Sequence, residues 1–222
     1  SSLIGTVLGS LIIGKPAQQY GRKPILFVIA VLYLLSAIGC ALVSSWSLFV
    51  LFRFLGGIAV GASSVVGPMY ISEIAPAKIR GRLAGMFQLN IVAGILAAYL
   101  TNYLLAGYGG EDSWRYMLAV MGVPAIVFFV LLFFIPESPR WLAVTGKIAE
   151  AQDVFRKLGQ EEALQQVLDD HHKQNNGIKE NRFNGKYNKP ILYAMLLAMF
   201  NQLSGINAIL YYAPRVFEMA GV

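Results

Sequence analysis

Charge is scarce in this chain. Of its 222 residues only 14% are Asp, Glu, Lys or Arg, against 56% hydrophobic, whereas soluble domains carry about 25% charged residues. A globular surface with that deficit would present apolar patches to water, and a chain solvated by lipid would not. Cysteine is almost missing as well. Cys40 stands alone within an apolar run, which excludes a disulfide framework and a cysteine metal cluster and leaves a small packing residue. Histidine occurs twice, as His171 and His172 in the polar stretch HHKQNNG, a weak metal signal on a solvated loop. No initiator Met, basic n-region or cleavage site precedes SSLIGTVLGSLIIG. The opening therefore reads as the interior of a hydrophobic helix in a longer chain, and not as a signal peptide.

What is present is hydrophobic length; the mean hydropathy is +0.57. Crossing a hydrocarbon core of about 30 Å takes about 20 largely apolar residues. Charge-free runs of this kind lie at 24–52, 54–72, 83–110, 116–135 and 190–214, with a shorter one at 1–14. SSWS at 44–47 is a polar turn inside the first long run. The runs predict six spans, at about 1–19, 24–43, 47–74, 83–106, 115–135 and 190–213. The fold class is thus an all-α membrane protein.

Between the fifth and sixth spans the chain turns polar. Ile148, Ala151, Val154, Phe155 and Leu158 fall on one helical face and Gly159 supplies a stop; Ala163, Leu164, Val167 and Leu168 repeat the pattern. Short amphipathic helices are expected there. Three domains follow: 1–135, an N-terminal bundle of five helices; 136–189, a loop with these helices; and 190–222, the first helix of a C-terminal bundle.

Fifteen of the 18 basic residues sit on alternate connections. Lys15, Arg22 and Lys23 lie in the first, Lys78, Arg80 and Arg82 in the third, and nine in the fifth. Basic loops face the cytoplasm, so 136–189 is placed there. The net charge of +6 is accounted for as a topology signal, and nucleic acid is not expected as a partner. Trp46 suits an interfacial anchor, while Trp114 and Trp141 sit at helix ends.

Two sets of polar residues stand out against this background. Arg22, Glu73, Arg80, Glu137 and Arg140 gather at the basic ends of the spans. Such charges can lock helix ends and release them, or they can simply anchor the protein and be solvated. The second set, Asn201, Gln202, Ser204 and Asn207, lies in the charge-free run 190–214. In oil each amide is costly unless paired with another helix, with water, or with a hydroxyl-rich ligand. No His, Asp, Cys or Glu cluster lies at membrane depth, so no enzyme chemistry, cofactor or metal is expected.

From end to end the chain resembles the sugar porters of the major facilitator superfamily, over the second to seventh of their twelve helices. The residues that carry the likeness are G-R-K at Gly21–Lys23; Arg53, Gly57 and Gly61 in R-x3-G-x3-G; and Pro68, Tyr70 and Glu73. R-G-R at Arg80–Arg82, the segment Gln88–Gly94, P-E-S-P-R-W-L from Pro136, and Q-L-S-G-I-N with Tyr211–Tyr212 complete it. Two positions depart from the pattern. Gln18 replaces an acid three residues before the Gly of G-R-K, which removes or neutralises one contact of the charge network. Asn201 replaces the first of two glutamines.

The resemblance implies a partial major facilitator helix bundle in the plasma membrane. It implies a transporter that moves a monosaccharide by alternating access, as a uniporter or a proton symporter, working as a monomer in lipid. Gln88 on the fifth family helix and Asn201, Gln202, Asn207 and Tyr211 on the seventh would line the sugar site. Amides suit a neutral sugar because each both donates and accepts hydrogen bonds. Tyr211 and Tyr212 would form an outer lid or serve as interfacial aromatics. Arg22, Glu73, Arg80, Glu137 and Arg140 would form the inner charge network of the outward-open state. A porter for a non-sugar solute and a transporter-like sugar sensor are the alternatives.

Overall fold

The computed structural model describes residues 1–76, 78–105, 110–160, 163–169 and 188–205, together with Tyr212, Arg215 and Met219 as single helical positions. The chain divides into two compact units, Ser1–His171 and His172–Val222. Every regular element among the described residues is helical. In order they are α1 (Ser2–Ile12), α2 (Gly14–Tyr20), α3 (Arg22–Leu42), α4 (Trp46–Ile74) and α5 (Arg80–Leu105). A 3-10 turn (Gly110–Asp112) leads to α6 (Ser113–Val120) and α7 (Gly122–Leu131). Then come α8 (Pro139–Val144), α9 (Ile148–Lys157), α10 (163–169) and α11 (Asn188–Leu203).

Among the described residues four helices are long and apolar enough to cross a membrane, namely α3, α4, α5 and the stretch Ser113–Leu131, with mean hydropathies from 1.7 to 2.7. The first predicted span appears as two pieces, and proline explains the break. Pro16 has no N–H to give the carbonyl of Ile12, where α1 ends; Pro124 likewise cannot bond Val120, where α6 ends. The breaks are slight, because Ile13 and Met121 keep right-handed helical angles. Helix α3 starts two residues before the predicted boundary, since a proline in the first turn (Pro24) forfeits no bond. Helix α11 ends ten residues before its predicted end. Gly205 follows with φ 72, a left-handed conformation that suits glycine and terminates a helix. Residues 206–211 lie outside the described residues.

Within the first unit, Ile25, Leu26, Ile29 and Ala30 of α3 pack with Ala17, Ala59, Ala62, Val66 and Leu132. Small residues let the backbones close. A Cβ on Gly5 or Gly9 of α1 would collide with the carbonyls of Phe54 and Ile58 in α4. Reciprocally, one on Gly57 or Gly61 would collide with those of Ser2 and Thr6. Large apolar side chains point outward along every span, Leu3, Leu11, Leu42, Leu100 and Phe134 among them, as expected where the solvent is lipid. No residue of α5 is buried.

The amphipathic pattern after α7 produces a second core of Leu142, Ala143, Ala151, Val154, Phe155 and Val167. Two glycines close its helices. Gly146 (φ 85) and Gly159 (φ 64) each end a helix with paired bonds, Lys147 N–H to the Leu142 carbonyl and Gln160 N–H to that of Phe155, both 2.9 Å.

Candidate functional site

At about 1.5 Å per residue the 29 residues of α4 reach about 43 Å, so the helix outruns a hydrocarbon core of about 30 Å. Its last turn carries Glu73. There the α2–α3 turn, the end of α4 and the start of α8 meet. Arg22 Nη2 donates to Glu73 Oε1 at 2.6 Å, with side chains only 10% and 12% exposed. Ser138, fully buried, donates its hydroxyl to Glu73 Oε2 at 2.6 Å. Ser138 Oγ also accepts the Trp141 N–H at 3.2 Å and so caps α8. One carboxylate is thereby held on both sides.

Glu137 works differently. Its carboxylate accepts the backbone N–H groups of Arg22 (3.0 Å), Lys23 (3.1 Å) and Ser138 (2.8 Å). The first turn of α3 has no side-chain cap of its own, because its N-cap is Gly21. Glu137 caps it from a distance of 115 residues along the chain, where the helix dipole favours an anion. This explains Gly21. Its φ is 96, and an added Cβ would stand 2.6 Å from Glu137 Oε2 and 3.3 Å from the Trp141 ring.

The remaining bonds tie off helix ends. Arg22 Nη1 donates to the Ala17 carbonyl (3.0 Å) and Trp141 Nε1 to that of Gln18 (2.7 Å), satisfying two of the four open carbonyls of α2. Tyr70 donates its hydroxyl to the Pro136 carbonyl at 2.6 Å, and Gln160 Nε2 donates to that of Ile74 at 2.8 Å. Arg22 Nε is buried with no partner. The arrangement is built of ion-pair and hydrogen-bond contacts from one helix end to another. What it can do is hold three helix ends together.

Of the predicted charge network, Arg22, Glu73 and Glu137 thus converge. Arg80 stands at the start of α5 with its Nε buried and without a hydrogen bond, and Arg140 is exposed on α8 with no ion pair among the described residues. Gln88 is exposed on α5. Asn201 and Gln202 lie on α11, but their side chains fall outside the described residues, as do Asn207, Tyr211, His171 and His172 altogether. The sequence reading overlooked Ser138, although a serine followed by proline is the usual signature of a helix start. It places Trp141 at a helix end without a partner and gives Gln160 no role; both donate to backbone carbonyls, which leave no trace in a residue pattern.

A family model described as "Sugar (and other) transporter" matches residues 1–222. Over 246 residues the chain is 37% identical to the D-xylose-proton symporter of Escherichia coli (strain K12), covering 100% of this chain and 50% of the symporter. It is 37% identical over 230 residues to the arabinose-proton symporter of Bacillus subtilis (strain 168), covering 100% and 50%. The solved structure of the major facilitator proton:xylose symporter XylE bound to 6-bromo-6-deoxy-D-glucose superposes with a TM-score of 0.87. There the identity is 34%, with 100% of this chain and 52% of that one covered. The chain spans about half the length of these transporters. Matched by the family over its whole length, this multi-pass integral membrane protein belongs to the sugar transporter family of the major facilitator superfamily.

Proposed function

We propose that the protein moves a monosaccharide, a hexose or pentose, across the membrane by alternating access, coupled to protons. The observation that carries this reading is the whole-length likeness to symporters named for xylose, arabinose and galactose. The chemistry of the apolar spans supports it. The polar groups set into 83–105 and 190–213 are neutral amides and hydroxyls with no charge among them, and they match the donors and acceptors of a sugar. A charged ligand would call for an opposite charge there.

Gln88, Asn201, Gln202, Asn207 and Tyr211 are the binding residues in this reading. The inner cluster of Arg22, Glu73 and Glu137, extended by Arg80 and Arg140, holds the helix ends in the outward-open state. Segment 1–135 forms the N-terminal bundle, 136–189 a cytoplasmic loop and 190–222 the first C-terminal helix.

The test is uptake of radiolabelled xylose, arabinose and galactose by the full-length protein in proteoliposomes, with and without an inward proton gradient. Gradient-dependent accumulation of at least one sugar is expected. Equilibration without accumulation would replace symport with uniport. No uptake of any of the three by a correctly inserted protein would overturn the sugar reading.

A further inference from the structure

At the end of the first unit opposite the charge cluster, the α3–α4 turn and the start of α6 line an open cleft of about 310 Å³, within the size range of small-ligand sites. Its walls include Ser44, Ser45, Trp46, Phe49, Trp114 and Arg115. Trp46 stacks on Phe49 (centroids 5.8 Å apart, rings at 20°), and Phe49 meets Trp114 edge to face at 5.9 Å. A guanidinium lies over each side of this aromatic group, Arg115 at 4.8 Å from the Trp114 centroid and Arg53 at 5.6 Å from that of Phe49.

Arg115 is anchored but not exhausted. Its Nη1 donates to the Ala41 carbonyl at 3.2 Å, closing an open end of α3, and its Nε donates to Asp112 at 3.1 Å. Nη2 reaches Ser44 Oγ only at 3.4 Å. A guanidinium has five N–H donors, and these contacts use three. Asp112 is 68% exposed, so solvent screens its charge and it neutralises Arg115 weakly.

The mixture of walls selects the ligand. Ser44, Ser45 and Arg115 are too few polar groups for a free sugar, and a bare anion would leave the aromatic walls uncovered. A glycerophospholipid fits both parts: its phosphodiester accepts from Arg115 and the serine hydroxyls, and its glycerol and first methylenes lie on Trp46 and Phe49. Trp46 is 75% and Trp114 40% exposed, and tryptophans so placed mark the headgroup level of a bilayer. We propose that this cleft holds the phosphodiester headgroup of a glycerophospholipid from the adjacent leaflet, with Arg115 as its phosphate ligand.

The site is tested on the full-length protein in non-ionic detergent, by native mass spectrometry during titration with phosphatidylglycerol. Ser45→Trp fills the cleft while leaving Arg115 and its partners in place, and Ser45 makes no side-chain cap that would be lost. It should weaken retention of one bound lipid by about tenfold, the scale of one charge-assisted hydrogen bond. Arg115→Gln should do the same, and Lys157→Gln on α9 should leave retention unchanged. Three results would each overturn the proposal: unaltered retention in Ser45→Trp, equally tight retention of phosphate-free diacylglycerol, or displacement of the lipid by millimolar inorganic phosphate.

Discussion

Replacing Gly21 with alanine tests how the inner charge cluster is built. The backbone at Gly21 has φ 96 and ψ 168, a region nearly closed to residues with a Cβ and costing about 1–3 kcal/mol. The new Cβ would also stand 2.6 Å from Glu137 Oε2, so the carboxylate must shift and its bonds from the N–H groups of Arg22, Lys23 and Ser138 weaken. Losing a helix cap outright costs about 0.5–2 kcal/mol, so the two effects together amount to about 1.5–5 kcal/mol at full loss. Thermal unfolding of the full-length protein in detergent should show a drop of several degrees. Glu137→Ala alone should lose only the cap. With the carboxylate already gone, Gly21→Ala should cost about 1 kcal/mol less than it does in the wild type. Strict additivity of the two substitutions, or a loss below about 0.5 kcal/mol for Gly21→Ala, would refute the idea that Gly21 makes room for a distant cap.

Glu73→Gln should lower stability by about 3–5 kcal/mol, because it leaves Arg22 buried without its counter-charge; the double variant Arg22→Gln/Glu73→Gln should recover much of that in the same melt. Gln88→Ala should weaken sugar binding by about tenfold, as expected for about 1.4 kcal/mol, measured by tryptophan quenching. Its melting temperature should stay put, since Gln88 is exposed on α5 and Gln88→Ala empties no packed site; unchanged binding with a large fall in stability would remove Gln88 from the site. His172→Cys should resist a membrane-impermeant maleimide on intact cells and react after permeabilisation. The native Cys40 is only 2% exposed and gives little background. Labelling from outside would reverse the proposed topology.

The spans were legible because lipid imposes a long, charge-free pattern that no loop imitates. Their internal breaks were not read, although Pro16 and Pro124 stand in plain view, because a missing i−4 bond shortens a helix without changing its hydropathy. The charge cluster was half visible. Arg22, Glu73 and Glu137 could be grouped by their shared membrane side; Pro139 marks Ser138 as a helix cap, but nothing in the pattern shows that its hydroxyl also reaches Glu73 across 65 residues. At Gln18 the sequence shows a lost acid. The structure shows a carbonyl that accepts Trp141 and an Arg22 Nε left without a partner, and a carbonyl is common to all residues. Glycine held more than its pattern disclosed: Gly57 and Gly61 seat α4 against α1, and Gly205, with φ 72, closes α11 ten residues short of the predicted span.

The reciprocal seating of α1 and α4 bears on how the first unit can move. Between helices in lipid there is no hydrophobic drive, so the seam relies on dispersion and on Cα–H groups facing carbonyls, forces that fade within about an ångström of separation. Glycine brings no rotamers to freeze, so almost none of this attraction is spent on ordering side chains. The carbonyls of Ser2, Thr6, Phe54 and Ile58 sit over the opposing glycines like teeth in notches, and they define a register. A shift of one residue, about 1.5 Å, would drive a carbonyl into a side chain. The pair therefore has no gradual mode of loosening: it is seated or it is apart, and in any rocking of the bundle α1 and α4 travel as a single strut.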